Sequence, residues 1–251
     1  MSRKVYGQFW KDIGKTDPYF GVLTHPEYRS DRLDEAALAA FFESGKQHIE
    51  QTIHLFQKVW PKRRFKPQNA LDFGSGTGRL TLALAEHARR VTGVDISPAM
   101  VAEANLNRDR FGISNAQFKV IEGNSGFLDE VYDYIHSSIV LQHIHPNDGM
   151  EIIDHLLESL ADKGRAYINV TYHTDVPAAV KWNSYLNISF PRVRRWLSRN
   201  ADYAFPMFDY DLNAVFALMQ KHHIKRVHTA FGQTGQHNFV QLYMQKNKFK
   251  T

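Results

Sequence analysis

The chain has 251 residues, a formal net charge of +5 and no cysteine. Hydrophobic residues make up 43% and charged residues 23%, ordinary globular values that exclude a disordered or collagen-like polymer. This length suits one large α/β domain, or a domain with a cap, with a core that needs no staples. The lack of thiols removes disulfides, thiolate zinc sites and cysteine nucleophiles, and fits a reducing, cytoplasmic setting. The positive charge favours anionic partners, nucleic acid among them, without choosing between them. No apolar run reaches the ~20 residues of a bilayer span. The start, Met1 to Tyr6, has no apolar stretch of a secretory signal behind it.

Residues 1–66 read as a helical cap. Leu38, Phe41, Phe42 and Gly45 recur at helical spacing, and Ile49, Ile53, Phe56 and Trp60 continue the stripe. Pro61 and the basic run Lys62 to Pro67 close this section as a linker or exposed turn. From residue 67 to 251 strands and helices alternate. Ala70 to Phe73 is a short apolar strand, followed by a helix carrying Leu80, Ala83, Leu84 and His87 on one face. Arg90 to Ile96 is the second strand. Ser97 and Pro98 supply an N-cap and a first helical residue, and that helix runs to about Arg110, stopped by Gly112.

Gln117 to Glu122 is a third strand and Asp133 to Leu141 a fourth. Ile153, Leu156, Leu157 and Leu160 mark the next helix, stopped near Gly164, and Arg165 to Tyr172 is the fifth strand. An insertion over 174–209, rich in proline, aromatics and arginine, is expected to lie over the mouth of the sheet as a lid. Leu212, Val215, Phe216 and Met219 resume helix. Val227 to Phe231 and Phe239 to Met244 form a final antiparallel pair, with Gly232 and Gly235 in the connection. The alternation predicts a mostly parallel sheet covered by helices on both faces.

The informative segment is Leu71-Asp72-Phe73-Gly74-Ser75-Gly76-Thr77-Gly78-Arg79, followed by Asp95 at the end of the next strand. A strand, a glycine-rich turn and a helix place backbone N–H groups at the ligand crevice, and Asp95 falls where ribose hydroxyls are accepted. The glycines are one residue tighter than the dinucleotide pattern, and the turn begins with a carboxylate. Asp72 would repel a pyrophosphate and attract an ammonium or sulfonium group. These features suit an adenosine bearing a cationic amino-acid tail, which is S-adenosylmethionine.

On these residues the stretch 70–172 resembles the class I S-adenosylmethionine-dependent methyltransferases. Asp72 to Gly78 matches their glycine motif, and Val94-Asp95-Ile96-Ser97 their ribose motif. Gly123-Asn124-Ser125 stands where the family often has Gly-Asp-Ala facing the adenine amino group; the amide of Asn124 replaces the acid. Ile139 to Ile144 resembles the segment after the fourth strand that lines the cofactor, and 225–245 the family's reversed final hairpin. Asp17 to Leu23 and Phe41 to Gly45 resemble the cap of some bacterial small-molecule or sugar methyltransferases.

The resemblance implies a Rossmann-like seven-stranded sheet whose last strand is antiparallel, and S-adenosylmethionine as cofactor. It implies a cofactor site of Asp72, Gly74, Ser75, Gly76, Gly78, Arg79, Asp95, Ile96, Asn124, Ser125, Leu141 and Gln142.

Methyl transfer is an in-line displacement governed by positioning, and a hydroxyl acceptor adds the need for a base. His143, just past the fourth strand, is the candidate base, and Tyr172 the second catalytic candidate. Tyr19, His173, Arg192 and Arg195 are candidate acceptor contacts, the arginines as a clamp for an anionic group. Leu141 and Gln142 are expected to face the adenosine, leaving His143 to the acceptor. His143 and His145 would share a face in an extended segment, but without a nearby carboxylate pair no metal is expected. Asp133 reads as structural.

Without cysteine, carbon-5 pyrimidine methylation through a thiol adduct is excluded. No Asn-Pro-Pro-Tyr or Asp-Pro-Pro-Tyr follows the fourth strand, which argues by family analogy against exocyclic-amine methylation of nucleic acid. O-methylation of a small-molecule or glycan hydroxyl is the leading expectation. RNA methylation, a nicotinamide-dependent oxidoreductase and a non-catalytic S-adenosylmethionine-binding protein are the alternatives.

Overall fold

A computed structural model describes residues 3–62, 64–123, 129–175, 205 and 207–247. Three helices precede the first strand: α1 (Arg3–Thr16), α2 (Pro18–Val22) and α3 (Glu35–Val59). Asp34 caps α3, its carboxylate accepting from the Ala37 amide at 2.8 Å. The alternating region follows as β1 (Ala70–Phe73), α4 (Arg79–Ala85), β2 (Val91–Asp95), α5 (Pro98–Arg110) and β3 (Ala116–Val120). Ser97 and Pro98 begin α5 as expected, and Gly112 follows it at φ +64°. Then come β4 (Tyr132–Ser137), α6 (Pro146–Glu158), β5 (Leu160–Thr174), α7 (Leu212–Lys221), β6 (Ile224–Thr234) and β7 (His237–Lys246).

Three boundaries differ from the sequence expectation. β4 ends at Ser137 rather than Leu141, because Ile139 turns the chain at φ +61° and Leu141–His143 form a 3-10 turn. Leu160 belongs to β5, where it pairs with Tyr132; an apolar side chain buried at either element's end cannot tell the two apart by periodicity. In the hairpin only Gly235 sits in the turn, at φ +56°. Gly232 lies within β6 opposite Phe239, whose ring occupies the space a side chain would need.

The described strands form one seven-stranded sheet in the order β3-β2-β1-β4-β5-β7-β6. β1 pairs in parallel with β2 and β4, β2 with β3, and β4 with β5. β7 runs antiparallel to both β5 and β6, as the resemblance implied. Alternate side chains along each strand feed two cores. Ala70, Tyr134, Tyr167 and Tyr243 meet Ile49, Ile53 and Phe56 of α3 and Leu80 and Leu84 of α4. On the other face Leu71, Phe73, Ile135, Ile168 and Leu242 meet α6 through Ile153, Leu156 and Leu157, and α7 through Val215 and Met219. Helices therefore cover both faces. No described helix is long and apolar enough to cross a membrane.

Asp133 lies at the amino end of β4, away from the carboxyl ends where ligands of such sheets bind. Its two carboxylate oxygens accept the backbone amides of Gln68 at 2.9 Å and Asn69 at 3.0 Å, fastening the entry of β1 to β4. Hydrogen bonds to charged groups are worth ~1.5–3 kcal/mol each. Asp133→Ala is expected to lower stability by about 2 kcal/mol in urea unfolding while leaving ligand affinity unchanged.

Candidate active site

At the carboxyl end of β1 the chain must reverse into α4 within five residues. Gly74 and Gly76 take left-handed conformations at φ +77° and +52°. A Cβ on Gly74 would stand 2.3 Å from Val140 Cγ2, and one on Gly76 2.5 Å from Val22 Cγ2. The turn is thus pressed from one side by the segment after β4 and from the other by α2. The amides of Gly74 and Ser75 donate to the Val94 carbonyl at 2.8 and 3.0 Å. The Gly76 amide donates to Asp95 Oδ2 at 2.9 Å, and the Ser97 amide to Asp95 Oδ1 at 2.8 Å. Burial pushes the Asp95 carboxyl up, and the backbone donors Ser97, Gly76 and Ile96 pull it back.

Asp72 is 2% exposed and accepts from Thr81 Oγ1 at 2.5 Å. Burial pushes its carboxyl up to about 6, against the Thr81 hydrogen bond and the nearby Arg79 charge. Arg79, 5% exposed, is pushed down to about 10 by burial, while Asp72 favours its charged form. Its Nη1 donates to Ser44 Oγ at 3.2 Å, whereas Nε has no partner among the described residues. The Ser75 hydroxyl is likewise buried and unpartnered there.

These groups line one cleft. Asp72, Gly74, Ser75, Gly76, Arg79, Asp95, Ile96 and His143, all expected from the sequence, lie on its wall. Gly78 does not; it caps α4, and Phe118 takes up the space beside it.

Several candidates fall elsewhere. Leu141 points into the core, fully buried, because a 3-10 turn replaces the expected extended segment; Ser138, Ile139 and Val140 face the cleft instead. Gln142 is also off the wall, its amide 3.2 Å from His143 Nε2 and donating to it. Tyr19 turns away into α5, its hydroxyl donating to Glu103 Oε1 at 2.6 Å. Tyr172 packs edge-on against Phe231, and His173 is exposed; neither lines the cleft. His145 caps α6, its Nδ1 accepting from the Asn147 amide at 3.3 Å, so the two histidines do not share an extended face. No group of three potential metal ligands occurs among the described residues. Asn124, Ser125, Arg192, Arg195 and most of the 174–209 insertion lie outside the described residues.

The sequence reading missed the part of the wall supplied by the cap. Gly7 and Trp10 of α1 and Gly21 and Val22 of α2 all line the cleft. The Trp10 ring lies 5.0 Å from His143 and stacks on Phe205 at 5.6 Å. A signal existed in the spacing of Gly7, Gly14 and Gly21. The Cβ positions of Gly7 and Gly14 would meet Ile96 and Ser97, so α1 approaches the end of β2 closely.

A model of the family described as "Methyltransferase domain" matches residues 44–235. The chain belongs to this methyltransferase family. A malonyl-[acyl-carrier protein] O-methyltransferase of Acetivibrio thermocellus is 35% identical over 96 residues, covering 38% of this chain and 32% of that protein. An uncharacterized RNA methyltransferase of Lactiplantibacillus plantarum is 33% identical over 171 residues, covering 61% and 33%. The chain spans a third to under a half of the length of such curated relatives. Among solved structures, the magnesium protoporphyrin IX methyltransferase of Synechocystis PCC 6803 with bound S-adenosylhomocysteine superposes with a TM-score of 0.64 at 15% identity. That match covers 98% of this chain and all of the other. Family and fold are those of the class I S-adenosylmethionine-dependent methyltransferases, as the glycine turn implied, and the nicotinamide reading is set aside.

Beneath the glycine turn lies a buried polar pair. His136 of β4, beside Asp72 in register, has Nε2 at 3.2 Å from His48 Nε2 of α3 and Nδ1 at 2.9 Å from the Tyr134 hydroxyl. Facing nitrogens at that distance hold one proton between them, so the two rings cannot both be charged, and their burial favours the neutral form of each. Burial, with the Arg79 charge behind it, pushes His48 down to about 4; burial and His48 hold His136 well below its usual value. Neutral histidines in the fold that titrate near 6.5 when unfolded lose stability as pH falls from about 6.5 toward 4. Asp72, raised to about 6, acts in the opposite sense, its contribution present at low pH and lost as pH rises through 6. Asp95, also raised by burial, acts in the same sense as Asp72, so the acid sensitivity of the histidine pair is read as the difference between a His48 variant and the parent. In urea unfolding, His48→Gln is expected to lose about 2 kcal/mol less than the parent between pH 7 and pH 5. An unchanged pH slope would contradict the neutral pair.

Proposed function

We propose that this chain is an S-adenosylmethionine-dependent methyltransferase acting on a hydroxyl group of a small molecule. The observation that carries the reading is the placement of His143 on the same cleft wall as the glycine turn and Asp95. The residues present fit the cofactor. The turn offers side-chain-free backbone at Gly74 and Gly76, the buried Ser75 hydroxyl lacks a partner among the described residues, and Asp95 closes the end of β2. Asp95 would accept the ribose hydroxyls, and Asp72 and Arg79 would face the amino-acid tail with opposite charges. When bound, S-adenosylmethionine supplies an electrophilic methyl group.

The chain's own work is then to seat the acceptor, exclude water and take a proton. The cap closes the cleft from the side of α1 and α2, which favours a small acceptor enclosed with the cofactor. His143 Nε2 already accepts from Gln142, which marks it as the lone-pair nitrogen; an acceptor hydroxyl would replace that amide and pass its proton there. RNA methylation is less well supported. Carbon-5 chemistry through a thiol adduct lacks its cysteine, and the described charges on the wall are Asp72, Asp95 and Asp148 against Arg79. An acidic wall disfavours a phosphate backbone.

Two measurements test the reading. Asp95→Asn keeps one acceptor oxygen for the backbone but loses the charge that strengthens a ribose hydrogen bond. Calorimetry is expected to give a ten- to hundredfold loss of S-adenosylhomocysteine affinity. For the base, His143→Ala is expected to lower single-turnover methylation about 10²–10⁴-fold, with S-adenosylmethionine affinity within a few-fold. A destabilised variant that is fully active per folded molecule would remove His143 from the chemistry.

A further inference from the structure

Ile139 is the one described cleft residue that is both large, apolar and well exposed and held in a left-handed conformation, 39% exposed at φ +61°. A β-branched side chain is the kind least tolerated there, and folding alone gives no reason to leave it facing water. Glycine would suit the backbone better, as it does at Gly74 across the turn. The same wall carries Val140 and Ile144 from its own segment and Trp10 from α1. Trp10 is itself only partly buried, with His143 at 5.0 Å.

The charges on the wall point the same way. Arg79 is the sole described cation lining it, and it is buried with Asp72 at the glycine turn; Asp148 lies with His143 and Ile144 on the α6 side. No lysine or arginine among the described residues lines that end.

We infer that Ile139, Val140, Ile144 and Trp10 form the seat for an uncharged aromatic ring, so that the acceptor is a phenol-like molecule rather than an anionic sugar or a phosphate. A flat ring fills an apolar slot with little loss of conformational freedom, and its faces and edges pair well with an indole. Chemistry at His143 is consistent with this choice. A phenolic hydroxyl, with a pKa near ~10, gives up its proton to an imidazole far more readily than an alcohol does. Arg192 and Arg195, from which an anionic acceptor was expected, lie outside the described residues, and the proposal of a neutral acceptor stands on the described wall alone.

This inference rests on the methyltransferase reading, and the test separates the two. Calorimetry on the purified full chain first measures S-adenosylhomocysteine alone, then titrates 2-naphthol or glucuronate into that complex. The expected result is saturable 2-naphthol binding, no measurable glucuronate binding, and a loss of about tenfold or more in naphthol affinity for Ile139→Gly. The same variant is expected to bind S-adenosylhomocysteine within threefold of the parent and to melt within about 3 °C of it, because glycine relieves the backbone. Trp10→Ala should weaken naphthol binding as well. If S-adenosylhomocysteine binds but 2-naphthol does not, or if Ile139→Gly binds naphthol as the parent does, or if glucuronate binds more tightly, the aromatic seat is wrong and the methyltransferase reading stands. Failure to bind S-adenosylhomocysteine would overturn both.

Discussion

The two oxygens of Asp95 hold the site together. One accepts the Gly76 amide and the other the Ser97 amide, so a single carboxylate at the end of β2 fastens the glycine turn to the start of α5. Because β1 and β2 are parallel neighbours, their carboxyl ends open on the same side, and the carboxylate spans the gap where a nucleoside would lie. The cap depends on the same tie. Val22 fits against the bare backbone of Gly76, and α1 lies beside the first turn of α5, so moving the turn would unseat both helices. A side chain that ties the backbone and, in the proposed role, also holds a ribose leaves little freedom for substitution. Replacement by alanine would remove a structural tie together with any ribose contact.

The polar layer behind the turn makes a second constraint. Asp72, Arg79, His136 and His48 are crowded between α3 and the sheet, where an uncompensated charge is costly. The arrangement limits the charge to one carboxyl and one guanidinium, while burial keeps the imidazoles neutral and their facing nitrogens share a proton. His136 also stacks on Tyr167 at 4.6 Å, so the layer is packed as well as hydrogen-bonded. A rigid layer beneath Asp72 fixes where a cationic tail would be attracted.

What could be read from the sequence follows from the range of the interactions. The glycine turn, Asp95, the Ser97–Pro98 helix start and the alternation of strands are local patterns, and the structure repeats them nearly residue for residue. The segment after β4 was misread because an apolar, β-branched run predicts extended chain. The left-handed turn at Ile139 opposes the local preference of that residue type and is imposed by tertiary contacts. Leu141 and Gln142 lost their expected places for that reason alone. Trp10 belongs to no motif, and Val22 lies inside the cap stretch Asp17 to Leu23 with nothing local to mark it as a wall residue, since both reach the cleft across more than fifty residues of chain. Tyr19 shows the converse. An exposed-looking tyrosine in a cap motif finds its partners in Glu103 and Asn107 of α5, and no pattern near it signals that.

The unfavourable turn must be held by something, and Tyr210 is placed to do it. Its buried hydroxyl lies 2.7 Å from the Leu141 carbonyl and 2.9 Å from the Ile144 carbonyl, bracketing the 3-10 turn that carries His143. One hydroxyl proton shared between two carbonyls is worth about 1 kcal/mol net; the Leu141 carbonyl also accepts the Ile144 amide at 2.9 Å, so removing the hydroxyl would leave the Ile144 carbonyl as the acceptor at risk, a cost of ~1–3 kcal/mol if it stays buried and unmet. That is the scale of the strain of a β-branched residue at positive φ, ~1–3 kcal/mol. Room for the ring is left by Gly149 on α6, where a Cβ would fall within 1.9 Å of the Tyr210 oxygen. The Tyr210 amide in turn donates to the Thr171 carbonyl of β5 at 2.8 Å. The turn that presents Ile139 and His143 is therefore clamped between α6 and β5 by one residue arriving from the far side of the insertion. With the floor of the cleft set by β1 and β2 and this wall by Tyr210, the proposed acceptor side could be altered through the segment after β4 while the glycine turn and Asp95 stay as they are.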